Sequence, residues 1–240
     1  MEAKNCFKTA KKIKARMNEI KVAGEQRDFD AVTRTATAVL NLGIPENAPL
    51  FANLYAIRGN AFYRLKAYEE ALRDCARAVY VKDDCKEAWL TKRLTLHALG
   101  RHADALQDMK ALMDRWGQND ATIRHACHKA EFELRKAKRP DYYGMMGCKR
   151  TATDGEIKAA YRSKALIMHP DKQHEKSAAD KKIMEEAFKT LGHALEVLTT
   201  PMQRQLYDEG YDRDAIIERV QAAQRAAHKD PSGHGHGHGH

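Results

Sequence analysis

The segment YEEALRDC, residues 68–75, returns 34 residues later as HADALQDM, residues 102–109. The two segments place alanine, leucine and aspartate at the same positions, and Tyr55 and Trp89 extend the correspondence upstream at the same offset. Apolar residues recur in both at three- and four-residue intervals, as on one face of a helix. A helical period of this length predicts an array of stacked hairpins that bury a continuous core.

The period and its helix–turn–helix content resemble the tetratricopeptide repeat. Gly59 and Ala71 are small where two paired helices must approach closely, whereas Arg93 replaces the glycine one period later and makes that repeat imperfect. A weaker copy occupies residues 28–40 and precedes a proline-containing loop. We expect a final helix over residues 121–139 to cap the array, because the last repeat otherwise exposes an apolar face.

The composition is that of a folded helical protein. Hydrophobic residues make up 43% and charged residues 31% of the 240 positions, while proline and glycine are scarce. The long segments show helical rather than alternating periodicity, which predicts an all-α fold. No apolar run approaches the roughly 18–20 residues of a membrane span, so no membrane association is expected.

Charge and cysteine usage indicate the class of partner and the compartment. The formal net charge of +9 suggests an acidic partner or nucleic acid, although an ordinary solvated surface also accounts for it because acidic residues are interspersed. Five cysteines without a CxxC pair favour free thiols in a reducing compartment. The N-terminal segment has no apolar core typical of a secretory signal. We therefore expect a cytoplasmic protein.

A second domain begins at Pro140. Thr153 and Glu156 form the pattern of a capping box at the start of a helix. A second amphipathic helix over about residues 178–198 completes an antiparallel hairpin. Pro170 removes a backbone donor and disfavours helical geometry in the residue before it. The first helix of the hairpin is therefore predicted to end near the sequence HPD, residues 169–171.

This second domain resembles the J-domain of DnaJ-type co-chaperones. The resemblance extends beyond HPD to four segments in family order, which are DYYGMMG (141–147), EIKAAYRSKALIMHPDK (156–172), FKTLGHALEVLTTP (188–201) and QLYD (205–208). It implies that the domain binds Hsp70 and stimulates ATP hydrolysis by that partner. The chain itself is then not an enzyme, and no cofactor or metal ion is implied.

The resemblance also assigns roles to individual residues. It implies that the loop in contact with Hsp70 consists of His169, Pro170 and Asp171. It also implies that a positive face of the preceding helix is formed by Lys158, Arg162 and Lys164. A charge-assisted bond from an Hsp70 arginine would suit Asp171. The alternative for the loop is a plain turn in which Asp171 only caps the next segment. The alternative for the basic face is an ordinary solvated surface.

Repeats of this family often hold the C-terminal carboxylate of Hsp70 or Hsp90 in a basic clamp. Lys14 and Asn18, one turn apart, match the first pair of such a clamp, but the remaining positions hold Ile57, Glu87 and Thr91. A carboxylate would find few charge-assisted donors there. Hsp90 binding is therefore poorly supported, and the alternative is that the concave face of the array holds a client polypeptide or another partner.

The sequence thus predicts a three-repeat solenoid with a capping helix over residues 1–139, a J-domain over residues 140–210 and a helical or disordered tail with a Gly-His repeat over residues 211–240, where residues 212–227 have a helical pattern. Two other functions remain open, a passive scaffold with an inert J-like hairpin and a basic protein associated with RNA or ribosomes. Few aromatic residues accompany the basic ones, which disfavours nucleic acid. The terminal GHGHGHGH either chelates a metal ion, stays unstructured or was added to the chain.

Overall fold

The computed structural model of the chain describes residues 2–42, 49–169 and 177–229. These residues contain helices and turns but no β-strand, as the all-α prediction requires. The chain divides into two compact units, Met1–Leu134 and Arg135–His240. Among the described helices, none combines the length and apolarity needed to cross a membrane.

The first unit is built from successive helical pairs. Its helices are α1 (Glu2–Glu25), α2 (Phe29–Leu40), α3 (Pro49–Arg64), α4 (Tyr68–Val81), α5 (Lys86–Ala98), α6 (His102–Trp116), a short 3₁₀ turn (Gly117–Asn119) and the start of α7 (Ala121–Lys138). Helix α4 begins 34 residues before α6, in agreement with the repeat in the sequence. The predicted helix–turn–helix array is therefore confirmed.

Three turns of identical construction join the helices within these pairs. Each turn has one residue with positive φ, namely Arg27 (59°), Lys66 (62°) and Gly100 (72°). In every case the residue after it donates its backbone N–H to a carbonyl five residues earlier, at 2.8–2.9 Å. This is the hydrogen-bond pattern of a left-handed helix cap. The repeated turn gives each hairpin the same local geometry.

Close contact between α3 and α4 depends on Gly59. A Cβ atom at this position would lie 3.1 Å from Cys75 Sγ and 3.3 Å from the carbonyl oxygen of Ala71. The sequence-based explanation for these small residues is therefore confirmed. Cys75 is fully buried at this contact, and burial raises the pKa of its thiol to about 12. The four cysteines with described side chains are free, as predicted.

The last helix of the array covers the apolar face of the pair before it. Ile123, Ala126 and Ala130 of α7 pack in one cluster with Met109 and Leu112 of α6, and all five are buried. Burial of this cluster removes from water the apolar surface that α6 would otherwise expose. The capping role predicted for this helix is confirmed.

The second unit is a helical hairpin supported by shorter elements. Its helices are α8 (Tyr142–Met146), α9 (Asp154–Met168), α10 (Ala178–Thr199), α11 (Pro201–Glu209) and α12 (Arg213–Lys229). Pro201 occupies the first helical position of α11, where its missing N–H costs nothing. Helix α11 ends at Gly210, which has a φ of 116°.

One core holds these elements together. Ile157 of α9, Leu191 and Leu198 of α10 and Tyr207 of α11 are almost fully buried in it. Ile216 of α12 belongs to the same core with 1% of its surface exposed. The predicted tail over residues 211–240 therefore begins with a helix that packs as part of the second unit. The glycine–histidine segment of that tail lies outside the described residues.

Candidate functional site

The candidate site lies where α9 ends. Thr153 starts this helix with a complete capping box: its Oγ1 accepts from the backbone N–H of Glu156, and the Glu156 carboxylate accepts from the backbone N–H of Thr153. Hydrogen bonds to Thr153 also hold the pKa of Glu156 below its usual value. Helix α9 is therefore fixed at its start and has a defined length.

The helix stops one residue before the proline. Its last residue is Met168, and His169 follows with a φ of −59° and a ψ of 135°, which is outside the helical region. This is the geometry that a following proline favours. His169 is exposed, and its ring makes an edge contact with Phe188 of α10 at a centroid distance of 6.0 Å. Pro170 and Asp171 lie outside the described residues.

Phe188 is the residue whose role the sequence did not reveal. The spacing of apolar residues in α10 predicts it as an ordinary core position, together with Met184, Leu191, Leu195 and Leu198. Leu191 and Leu198 are buried, but Phe188 is only partly buried and contacts His169. The aromatic edge contact limits where the imidazole can lie. The structure therefore adds Phe188 to the candidate site as a neighbour of His169.

The basic residues of α9 do not all share one face. Lys158 and Arg162 are exposed one turn apart and form a stripe that leads to the end of the helix. Lys164 lies about 160° around the helix from Arg162 at 100° per residue. Its Cε approaches Gly147, 3.8 Å from where a Cβ on that glycine would lie. The structure thus brings Lys158 and Arg162 together and separates Lys164 from them.

Tyr207 ties the start of the second unit to α11. Its hydroxyl accepts from the backbone N–H of Tyr142 at 2.9 Å and donates to the carbonyl oxygen of Pro140 at 3.0 Å. The Tyr142 ring stacks on it at 4.7 Å, and the guanidinium of Arg139 lies 4.1 Å from its ring centroid. Burial raises the pKa of Tyr207, so the hydroxyl keeps its proton for the bond to Pro140.

Arg204 and Arg135 add two further links within this unit. The Nη2 of Arg204 donates to the carbonyl oxygens of Arg150 and Ala152, at 2.9 and 2.8 Å, in the segment before α9. Arg135 donates from two nitrogens to the carboxylate of Asp212, at 2.6 and 2.7 Å. Sequence reasoning assigned no role to these arginines, because their partners are 50 to 80 residues away in the chain.

The clamp positions of the first unit are not brought together. Ile57, Glu87 and Thr91 line one groove across α3 and α5, but Lys14 and Asn18 are exposed on α1 and do not line it. Thr91 is buried, and its hydroxyl accepts from the side-chain amide of Asn60. Among the described residues there is also no cluster of three or more His, Cys, Asp or Glu side chains that could hold a metal ion.

Comparison with known proteins agrees with the division of the chain into two units. Residues 141–208 match the family model of the DnaJ domain. The human DnaJ homolog subfamily C member 7 is 31% identical over 209 residues, 86% of this chain and 41% of that protein. Its Schizosaccharomyces pombe homolog is 30% identical over 216 residues, 90% of this chain and 44% of that protein.

Two further likenesses complete the comparison. The mouse DnaJ homolog subfamily C member 3 is 30% identical over 217 residues, 87% of this chain and 41% of that protein. The chain thus spans about two fifths of the length of these curated relatives. Among solved structures, the "TPR2B-domain:pHsp70-complex of yeast Sti1" is similar with a TM-score of 0.43 at 21% identity, over 49% of this chain and 94% of that chain.

The domain match and the likeness to the relatives agree with the two units of the structure. The match over residues 141–208 coincides with the helical hairpin of the second unit, and the likeness to the curated relatives extends across both units. The chain therefore contains a DnaJ domain at residues 141–208, after the repeated helical pairs, and is similar over both units to these DnaJ homologs.

Proposed function

We propose that this chain is an Hsp70 co-chaperone. In this role the loop of His169, Pro170 and Asp171 stimulates ATP hydrolysis by Hsp70, while the repeats hold a client or partner protein. The observation that carries the proposal is the exposed His169 at the end of α9, beside a basic stripe, within a domain that matches the DnaJ family.

The geometry supports a trigger rather than a catalytic site. The imidazole of His169 is exposed and contacts Phe188, which supports direct contact with a partner surface. Lys158 and Arg162 present two positive charges on the same flank, which speeds encounter with an acidic surface and sets its orientation. Hydrolysis takes place in the partner, so the side chains of this chain act by binding.

A single-turnover ATPase assay with Hsp70 tests the role of the loop. We expect His169→Gln to reduce the stimulated rate to that of Hsp70 alone, because the amide cannot replace the imidazole in shape or in its contact with Phe188. His193→Gln, a histidine elsewhere on α10, is the matched control and should stimulate as wild type does. Equal rates of ATP hydrolysis with wild type and with His169→Gln would contradict the proposal.

Charge reversal on α9 tests the basic stripe. The double variant Lys158→Glu/Arg162→Glu should weaken Hsp70 binding by about tenfold or more at low salt, with a smaller effect at high salt. The sequence predicts that Lys164 also contributes, whereas its position on the opposite flank favours a small effect. Lys164→Glu in the same titration separates these possibilities, and an unchanged affinity in the double variant would remove the stripe from the interface.

A further inference from the structure

Helix α1 extends well beyond the helix with which it is paired. It has 24 residues, whereas α2 has 12. Among the described side chains of α1, Ile13 is the first that packs on the core of this helical pair, and Ile20 is buried within it. Phe7 lies before this core with 73% of its surface exposed. A single exposed apolar residue is ordinary, so its surroundings decide whether the exposure has a role.

The side of α1 that faces away from the core carries two apolar residues and a row of lysines. At 100° per residue, Val22 lies within about 60° of Phe7 around the helix, whereas Ile20 lies at least about 140° from both. Val22 is 49% exposed. The same side holds four exposed lysines, which are Lys8, Lys11, Lys14 and Lys21. These lysines, together with Phe7 and Val22, form what we call the outer face of α1.

The positive charge of the outer face is largely uncompensated. Where the structure describes side chains, none of its four lysines forms an ion pair. Glu19 pairs with Arg16 at 2.7 Å, which leaves Glu25 as the one further carboxylate among the described side chains of α1. From Phe7 to Val22 the face is about 22 Å long at 1.5 Å per residue. It thus presents a narrow strip of positive charge that contains two apolar side chains.

The outer face is separate from the groove of the first unit. Within α1, that groove is lined by Met17, Ile20 and Gly24, and none of the six residues of the outer face lines it. A ligand of the outer face is therefore different from a client or partner that the repeats hold in their groove.

The chemistry of the outer face selects its partner. A second copy of α1 would bring like charges together. Nucleic acid would use the lysines, but Val22 offers no ring on which a base can stack. A bilayer of anionic lipid uses both parts of the face, since ammonium groups bind the head groups while apolar side chains enter the interface. The long stems of lysine let the charge stay at the level of the head groups.

We propose that the outer face of α1 binds the surface of an anionic lipid bilayer, with the helix parallel to the membrane plane. Phe7 is the main apolar anchor, and Lys8 and Lys11 supply the nearest charges. Such a contact is peripheral and needs no long apolar run, whose absence led to the prediction of no membrane association. The inference goes beyond the proposed action on Hsp70 and does not depend on it.

Co-sedimentation of the full chain with vesicles tests the proposal. The probes are vesicles of phosphatidylcholine alone and vesicles that also contain about 30% phosphatidylserine. A pH of about 7.5 keeps the 12 histidines mostly neutral. We expect binding to the anionic vesicles to be at least about tenfold tighter than to the neutral ones, and to weaken strongly at about 0.5 M salt.

Variants assign the binding to the outer face. Lys8→Gln/Lys11→Gln should weaken binding to the anionic vesicles by about tenfold or more. Phe7→Ser leaves every charge in place and should weaken binding by about three- to tenfold, because the apolar anchor is lost. Lys136→Gln/Lys138→Gln removes the same charge from exposed lysines of α7. This matched control should bind as wild type, and far-ultraviolet circular dichroism checks that each variant keeps its helices.

Three results would overturn the proposal. They are equal binding to anionic and neutral vesicles, binding by Lys8→Gln/Lys11→Gln that is no weaker than that of the α7 control, and wild-type binding by Phe7→Ser. In the last case, full competition by soluble polyglutamate would assign the lysines to an acidic protein instead. Stimulation of Hsp70 in solution without lipid reports on the J-domain separately. Failure at the membrane therefore leaves the co-chaperone proposal standing.

Discussion

The pair α3–α4 and the pair α5–α6 make the same contact 34 residues apart, but with different chemistry. In α3–α4, two nitrogens of Arg58 donate to the two carboxylate oxygens of Asp74 at 2.6 and 2.7 Å, and a third donates to Thr37 on α2. The guanidinium also lies 5.6 Å from the ring centroid of Tyr55. The side chains of Arg58 and Asp74 are only 15% and 6% exposed.

In α5–α6, a lysine replaces the arginine. Lys92 forms an ion pair with Asp108 at 2.8 Å and lies 5.1 Å from the Trp89 ring centroid. This pair is more exposed, at 25% and 22%. An ammonium cannot form the two parallel bonds that the guanidinium makes. The same positions thus give a buried bidentate ion pair in one repeat and a partly solvated single contact in the next repeat.

The two pairs also differ at the helix contact and at the turn. Where α3 has Gly59, α5 has Arg93, whose Nε is buried without a hydrogen-bond partner among the described residues. Across the turn, His97 and His102 lie with ring nitrogens 2.8 Å apart, in the places that tyrosines occupy one period earlier. Successive repeats can therefore share one architecture and still differ in stability and in their response to pH.

The largest expected effect concerns the buried ion pair. Asp74→Ala leaves the Arg58 guanidinium buried without its carboxylate, and we expect a loss of about 3–5 kcal/mol in unfolding free energy. Asp108→Ala should cost about 1 kcal/mol, because Lys92 is better solvated. Urea unfolding followed by far-ultraviolet circular dichroism measures both, and equal losses would show that the two pairs do not differ energetically.

An exchange at the helix contact should have the next largest effect. Gly59→Arg puts into α3 the residue that α5 carries, and its Cβ alone would meet Cys75 and Ala71. We expect destabilisation of about 3 kcal/mol from overpacking in the same urea assay. Arg93→Met is the control, since it keeps the apolar stem and removes a buried unpaired donor, and it should change stability by about 1 kcal/mol or less. A tolerated arginine at residue 59 would contradict the close packing.

The histidine pair predicts loss of stability in acid. Burial, then the charges of Arg93 and His102, lower the pKa of His97 to about 4. The unfolded chain, with an ordinary pKa of about 6.5, binds more protons below that pH. The contribution is therefore complete above about pH 6.5 and is lost as the pH falls toward 4, by up to about 3 kcal/mol.

A transplant from the preceding repeat tests this dependence. His97→Tyr/His102→Tyr recreates the ring pair of Tyr63 and Tyr68, which takes up no proton in this range. Urea unfolding at several pH values between 4 and 7 should show a shallower dependence for the variant than for wild type. Identical pH profiles would mean that other groups control the acid sensitivity.

The smallest effect is expected at the left-handed turn positions. Lys66 adopts a φ of 62° where the next turn has Gly100, and a side chain in this region costs about 1 kcal/mol. Lys66→Gly should raise stability by about 0.5–1 kcal/mol, and Gly100→Lys should lower it by a similar amount. Thermal unfolding would reveal both as small shifts of opposite sign in Tm.

Much of the molecule follows from relationships between near neighbours in the sequence. The 34-residue period locates the helical pairs, Thr153 and Glu156 mark the start of α9, and Pro170 accounts for its end at Met168. The spacing of Lys158, Arg162 and Lys164 in the sequence already predicts that Lys164 lies on a different side of the helix from the other two. These features depend on backbone sterics and on contacts within four residues, which a single sequence states directly.

Other features were decided only by the packing of helices against each other. The identity of Asp74 as partner of Arg58, the contact of Phe188 with His169 and the place of Ile216 in the second core all join residues that are not neighbours in the chain. Such meetings depend on how each helix is rotated and where it crosses its neighbour. The sequence by itself determined the helices and their ends, whereas the tertiary structure decided which side chains meet, because helix rotation is fixed by the whole core at once.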